Sequence, residues 1–369
     1  MKYAIDKNNG ANGDGSIDGL NAGTSVTQRR RFLTGLAALG AGALIPGCAS
    51  NAQAPGVAGA KPYRIDIHHH LLPPKYVAEL PKFAKGESAP PWSPAKSIED
   101  MDKNGIATSL TSLMQPQVWF GNVPLGRRLA RESNDYAATL VRDYPGRFGI
   151  FATLPLPDIE GSLKEIEYAL DVLKADGFGL MTSYADKYLG DPAFWPVWEE
   201  LNRRKAVIYN HPLAVECCRN PIPQYMVNSA IEYATDTSRT IGSLLFSGAA
   251  ARFPDISWIH SHGGGTMPFL WQRYTRQEGA IKNRQEVLPN GLLHEIKKFY
   301  YDTAQANHAG ALAALLKLVS TSQVMFGTDF PYRPGSEVVE GLTAYGFSAA
   351  ELQAIDRGNA LRLMPRLKA

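Results

Sequence analysis

Six of the chain's eight histidines stand in three short clusters: His68-His69-His70, His211, and His260 with His262. The other two, His294 and His308, stand apart. Each cluster closes a short apolar or β-branched run. Side chains alternate faces along a strand. In Asp66-Ile67-His68-His69-His70, His68 and His70 are therefore expected on one face and His69 on the other. Two imidazoles on one face at this spacing can bind one transition metal. Asp66 shares parity with His68 and is expected one layer deeper. There it would partner a ligand imidazole, because such ligands usually donate their second N–H. A further run ends Gly327-Thr328-Asp329-Phe330-Pro331 and adds a carboxylate. One pair of strand-end histidines is as readily solvated as metal-bound. Six histidines and an aspartate gathered at four such ends are not a chance arrangement.

The elements that must position these groups follow from the alternation of the chain. Eight apolar runs occur: Tyr63–His70, Ile106–Met114, Arg147–Leu154, Gly177–Thr182, Ala206–His211, Ile256–His262, Phe299–Thr303 and Gln323–Asp329. Amphipathic stretches separate them, with helical spacing as in Leu163, Ile166, Ala169, Leu170 and Leu173. Strands alternating with helices imply parallel pairing through crossovers. Eight repeats predict an α/β fold, a closed (β/α)8 TIM barrel, with its chemistry at the C-terminal ends of the strands. A doubly wound open sheet would instead want a glycine-rich phosphate turn after the first strand. Here the first strand ends in histidines.

Composition sets the outer bounds. Across 369 residues, 44% are hydrophobic and 20% charged, within the globular range. The net charge of +3 provides no basic field for nucleic acid. Three cysteines cannot build a disulfide framework, and Cys217-Cys218 reads as two small buried hydrophobes. No apolar run reaches the roughly 20 residues of a membrane-spanning helix. The first 54 residues differ from the rest. Arg29-Arg30-Arg31-Phe32-Leu33 precedes a short Gly/Ala-rich run from Thr34 to Ile45, the layout of a twin-arginine export signal. Residues 1–54 are thus expected to be signal peptide and linker, with a small-x-small site at Ala52-Gln53-Ala54. The alternative is a lipoprotein site at Ile45-Pro46-Gly47-Cys48, with Cys48 acylated. Either places the mature protein in the periplasm or outside, with the twin-arginine translocation machinery as a partner and a cofactor loaded before export. The remainder, 61–369, reads as one barrel domain.

The motifs Asp66-Ile67-His68-His69-His70-Leu71-Leu72-Pro73-Pro74, His211-Pro212, His262-Gly263-Gly264 with Pro268, and Gly327-Thr328-Asp329-Phe330-Pro331 resemble those of the amidohydrolase superfamily. The likeness is to its branch typified by aminocarboxymuconate-semialdehyde decarboxylase, and it spans residues 63–369, including Gly358-Asn359-Ala360-Leu361-Arg362-Leu363. It implies that His68, His70, His211 and Asp329 ligate metal and that His262, with Asp329, serves as acid/base. Many relatives bridge two metals with a modified lysine after the fourth strand. Here Gly177–Thr182 ends without one, and Lys187 reads as a loop charge. A single divalent ion, Zn2+ by its ligands, is therefore expected. His260 is expected to pack or hydrogen-bond below the metal. Tyr184, Trp195, Arg219 and Arg333 fall in strand-end loops and are candidates for contact with an anionic aromatic substrate. Asp191 reads as a helix cap. The branch implies non-oxidative decarboxylation of a small hydroxyaromatic or enol acid of the salicylate type, and a homodimer. The same parts also suit hydrolysis of a lactone, ester or amide. A non-catalytic exported metal- or ligand-binding protein is the remaining alternative, against which an acid/base at His262 counts.

Overall fold

A computed structural model describes residues 63–83, 89–213 and 227–368. The segment expected to be a signal peptide, with Arg29, Arg30 and Cys48, lies outside the described residues, as do Cys217, Cys218 and Arg219. Each of the eight apolar runs forms a strand: β1 (Arg64–Leu71), β2 (Ile106–Leu113), β3 (Phe148–Ala152), β4 (Gly177–Met181), β7 (Val207–His211), β8 (Ser257–His260), β9 (Tyr300–Asp302) and β10 (Val324–Met325). They pair in parallel, in chain order, as one sheet. A two-stranded hairpin, β5 (Ser183–Tyr184) with β6 (Lys187–Tyr188), stands beside it. The sheet curls until β1 meets the segment after β10. There Ile67 N–H donates to Phe326 O at 3.0 Å, His70 N–H to Phe330 O at 2.8 Å, and Asp329 N–H to His68 O at 2.8 Å. The residues that carry the chemistry thus also close the barrel.

Two apolar layers hold the strands. Ile65, Ile67, Leu110, Phe151, Val207, Tyr209, Ile259 and Met325 fill the bore, and Ala360 and Met364 of the C-terminal helices plug its floor. This is a packed core and not a channel. The alternate strand residues face outward to the helices. The helix Val123–Asp143 shows why such segments form. Asn122 caps its first turn, a proline follows the cap, and Leu129, Ala130, Ser133, Asn134, Ala137 and Leu140 make one buried stripe.

Two strand ends depart from regular alternation. The register of β1 against β2 shifts between Asp66 and His69. This irregularity puts Asp66 on the helix side with His69, not beneath His68. Strand β8 keeps its alternation, so Ile259 fills the bore and His260 turns outward against Phe299 and Tyr301. His262 lies beyond the strand, in a left-handed turn at φ 52°. Parity counted back from His262 therefore misplaces His260, which sits in the helix layer and not below the site.

The C-terminal helix Asn359–Leu363 is laced to the last strand by one side chain. Asn359 Nδ2 donates to Thr321 O and Val324 O, both at 2.7 Å. Asn359→Ala removes both donors and leaves a buried carbonyl unpaired, at a cost of about 2 kcal/mol. The expected reading is a lower urea midpoint with an unchanged m-value. An unchanged midpoint would mean that this lacing contributes nothing.

Candidate metal centre and active site

Four strand ends bring five side chains to one point. β1 presents His68 and His70, and β7 presents His211. The turn after β8 presents His262, and the loop after β10 presents Asp329. His70 Nε2 lies 2.9 Å from Asp329 Oδ1, and His68 Nε2 lies 3.1 Å from the same oxygen. His262 Nε2 is 3.4 Å from Asp329 Oδ2. The His211 ring packs edge-on against His68, His70 and His262, with centroids 4.9 to 5.3 Å apart. Donor atoms of His68, His211, His262 and Asp329 all lie within 4.8 Å of one another, a grouping able to hold a metal ion.

The backbone is bent to achieve this. His262, Gln305 and Asp329 all have left-handed φ, at 52°, 52° and 70°. Such conformations are uncommon for residues with a Cβ and concentrate at functional sites. The glycines after His262 are required by space: a Cβ on Gly265 would overlap the Ala234 carbonyl oxygen.

Hydrogen bonds fix which nitrogen faces the centre for two of the rings, His211 and His68. His211 Nδ1–H donates to Pro212 O at 2.8 Å, which leaves Nε2 with its lone pair. His68 Nδ1–H donates to Asp302 Oδ2 at 2.8 Å and turns Nε2 inward. Burial, then the neighbouring imidazoles of His70 and His68, hold the His211 ring well below its usual pKa, so it stays neutral. Burial would lower His68 too, but the Asp329 and Asp302 carboxylates overrule it and push it up to about 10. Burial would raise Asp329, yet the facing imidazoles, His68 foremost, keep it well below the ordinary carboxylate range. With their inner nitrogens deprotonated, His68 and His211 would turn lone pairs inward while oxygen acceptors hold their outer N–H groups, and with the charged Asp329 they make up the kind of donor set a divalent metal uses.

The position after β4, where a bridging lysine would stand, is Thr182. Its hydroxyl donates to Asp236 and its N–H to His211 O at 3.0 Å. Lys187 is exposed in β6. A cavity of about 250 Å3 opens over the centre, walled by His211, His262, Asp329, Tyr332 and Arg333. A second hollow of about 310 Å3 adjoins it across Tyr233, His262 and Gln305.

The other expected site residues are spread more widely. Arg333 stands at the cavity rim, 3.8 Å from Glu337. Tyr184 is buried beside β4, where its hydroxyl accepts from Met181 N–H and donates to Gln117 Oε1. Trp195 lies in the helix layer between Phe253 and Arg252. Neither of these two lines the cavity. Asp191 accepts from Ala193 N–H at 2.9 Å and caps the turn at Pro192–Phe194. Asp66 grips backbone: Oδ1 accepts from His68 N–H and Thr328 N–H, both at 3.0 Å, while Oδ2 meets His69 Nδ1 and the Thr328 hydroxyl. It supports His68 through the main chain and not through the ring.

Two residues next to the centre went unread in the sequence. Asp302 ends β9 and touches both His68 and the backbone of His262. Gln305 donates to Asp329 Oδ2 from the following loop. The signal for Asp302 was present: the seventh apolar run breaks at an acidic residue, as the eighth does.

A parallel eight-stranded barrel with a His/Asp cluster at its C-terminal mouth defines a metal-binding enzyme of the metal-dependent hydrolase type. The amidohydrolase family profile matches residues 65–366, and the chain belongs to that family. A decarboxylase of Aspergillus niger is 38% identical over 330 residues, which cover 83% of this chain and 88% of the relative. The 6-methylsalicylic acid decarboxylase of Penicillium expansum is 32% identical over 320 residues, covering 83% and 97%. The dihydroxybenzoic acid decarboxylase of a Polaromonas species, solved with bound manganese and the inhibitor 2-nitroresorcinol, superposes with a TM-score of 0.69 at 22% identity, covering 83% and 98%.

With a single carboxylate at the focus and threonine after β4, the purified protein is expected to carry one divalent ion per chain. Elemental analysis after gel filtration checks this. Two ions per chain, both needed for activity, would overturn it.

Proposed function

We propose that this protein is a metal-dependent, non-oxidative decarboxylase of a small hydroxyaromatic acid of the salicylate type. One observation carries the reading. His262 is the least buried imidazole of the cluster, its side chain 10% accessible against 0% for His68 and 1% for His70, and it faces a cavity sized for a single ring. The Aspergillus niger and Penicillium expansum decarboxylases, aligned over most of their lengths, support it.

In this reading His68, His70, His211 and Asp329 hold the metal, and His262 stays free. Three imidazoles and one carboxylate suit Zn2+, with Mn2+ the competitor. When bound, the ion supplies a positive centre that chelates a carboxylate and an adjacent hydroxyl. Arg333, at the rim, adds a second positive charge toward an anionic ring. His262 Nε2 delivers a proton to the ring carbon that bears the carboxylate. That carbon becomes sp3, the C–C bond to the carboxylate breaks, its electrons return to the ring and CO2 leaves. Tyr233 and Tyr332 flank the cavity and limit water around the reacting ring.

A panel of hydroxybenzoates assayed for CO2 release on metal-loaded protein tests the reaction. Base uptake with lactones or esters and no CO2 from any acid would replace it with hydrolysis. His262→Ala is expected to keep its metal and lose turnover by about 10²-fold or more, whereas His211→Ala should lose metal. The opposite pattern would exchange their roles.

We also propose export of the folded, metal-loaded chain through the twin-arginine route. Arg29 and Arg30 support this, as does a following run too rich in Gly and Ala for ordinary secretion. Arg29→Lys with Arg30→Lys is expected to leave uncleaved protein in the cytoplasm on cell fractionation. Wild-type levels of mature-sized periplasmic product would overturn the proposal.

A further inference from the structure

Four donors converge on one buried carboxylate that stands outside the metal-binding group and the cavity lining. Asp302 Oδ2 accepts from His68 Nδ1–H at 2.8 Å and from the Tyr209 hydroxyl at 2.9 Å. Its Oδ1 accepts from His262 N–H at 2.7 Å and Ala304 N–H at 3.1 Å. Asp302 is wholly buried, as are His68 and Tyr209. One oxygen thus serves the ring of an expected metal ligand, and the other serves the backbone of the expected acid/base.

We infer that Asp302 is the positioning residue that sets both functions of the site: it fixes His68 as the Nδ1–H tautomer, with Nε2 turned to the metal, and anchors the left-handed turn that aims His262. The inference rests on the metal and acid/base roles proposed above for these two histidines. A carboxylate can only accept, so the hydrogen between Asp302 and His68 belongs to His68 Nδ1. In the neutral ring that a metal requires, the one lone pair then lies on Nε2, which faces Asp329 and His70. At His262, the Oδ1 contact occupies the N–H of a residue at φ 52°, a conformation that persists only when its surroundings over-determine it. Tyr209 stacks on Phe151, with centroids 5.4 Å apart and planes 7° apart, and so holds the carboxylate from the bore side.

Asp302→Asn separates the two functions because it is nearly isosteric. Two backbone N–H groups still require an acceptor, so the amide turns its oxygen toward His262 and Ala304. Its NH2 then faces Tyr209 and His68. The tyrosine hydroxyl can rotate and accept, but His68 Nδ1–H meets a donor. The ring is pushed toward the other tautomer, with hydrogen on Nε2, the nitrogen needed by the metal. Asp302→Ala removes both supports.

The primary measurement is zinc affinity by competition with a chromophoric chelator, which requires no turnover. Asp302→Asn is expected to bind zinc about 10- to 100-fold more weakly than wild type, and Tyr209→Phe to stay within about threefold. Asp302→Asn affinity within threefold of wild type would overturn the inference. Long-range 15N–1H correlation spectra of the zinc-loaded wild-type chain, with His68 signals assigned by their loss in His68→Gln, should show hydrogen on Nδ1. Hydrogen on Nε2 would overturn the inference even if no Asp302 variant folds. At saturating zinc, Asp302→Asn should recover most of its CO2 release and Asp302→Ala should not. Equal failure of the two at saturating zinc would overturn the anchoring role at His262. If the wild type releases no CO2 from any acid, the decarboxylase reading fails, and zinc affinity and the His68 spectrum still decide the role of Asp302.

Discussion

A carboxylate buried among imidazoles at the mouth of a barrel is tolerable only when positive charge and hydrogen-bond donors face it. Asp329 is that carboxylate, and much of the surrounding architecture answers to it. His68, His70 and His262 reach it from two strands, and Gln305 reaches it from a third. A second carboxylate, Asp302, stands behind His68, so that ring lies between two acids. Such a centre attracts a cation, whether a proton on His68 or a metal beside it. The left-handed turns at His262, Gln305 and Asp329 are the backbone's concession to the same point in space.

Much of this was legible in the sequence because strand ends are local features. Short apolar or β-branched runs located all eight barrel strands, and the ends of those runs located His68, His70, His211 and Asp329. Counting faces failed wherever the pleat was interrupted. The register shift at Asp66 and the turn at His262 involve one or two residues each, and no periodicity announces them. Asp66 and His260 were therefore expected on the wrong side of the sheet. Tyr184 and Trp195 show another limit. An aromatic near a strand end looks like a substrate contact, but local partners settle it: a backbone N–H and Gln117 for Tyr184, Phe253 and Arg252 for Trp195. Asp302 obeyed the strand-end rule, yet a lone Asp at the close of a run equally reads as the start of a turn.

Thr182 has a structural part beside the centre. It stands at the end of β4, tied to Asp236, to His211 O and, through its own carbonyl, to the Thr240 hydroxyl. Asp236 in turn accepts from Tyr188 and from Leu213 N–H, just past His211. The strand end thus serves to fix the neighbouring histidine's loop. Tyr332 and Arg333, by contrast, stand on the loop after β10 and wall the cavity.

The first strand begins, and the last helices finish, at the floor of the barrel. Tyr63 and Arg64 pair there with Asp356, Arg357 donates to Tyr63 O, and Met364 plugs the bore from below. Both tails of the folded body therefore leave from the pole opposite the catalytic mouth. A resin linker or a carrier protein joined directly before Tyr63 or directly after the C-terminal helices would hold the enzyme by its base. Immobilised that way on a bead or electrode, it would present its open end to the flowing solution.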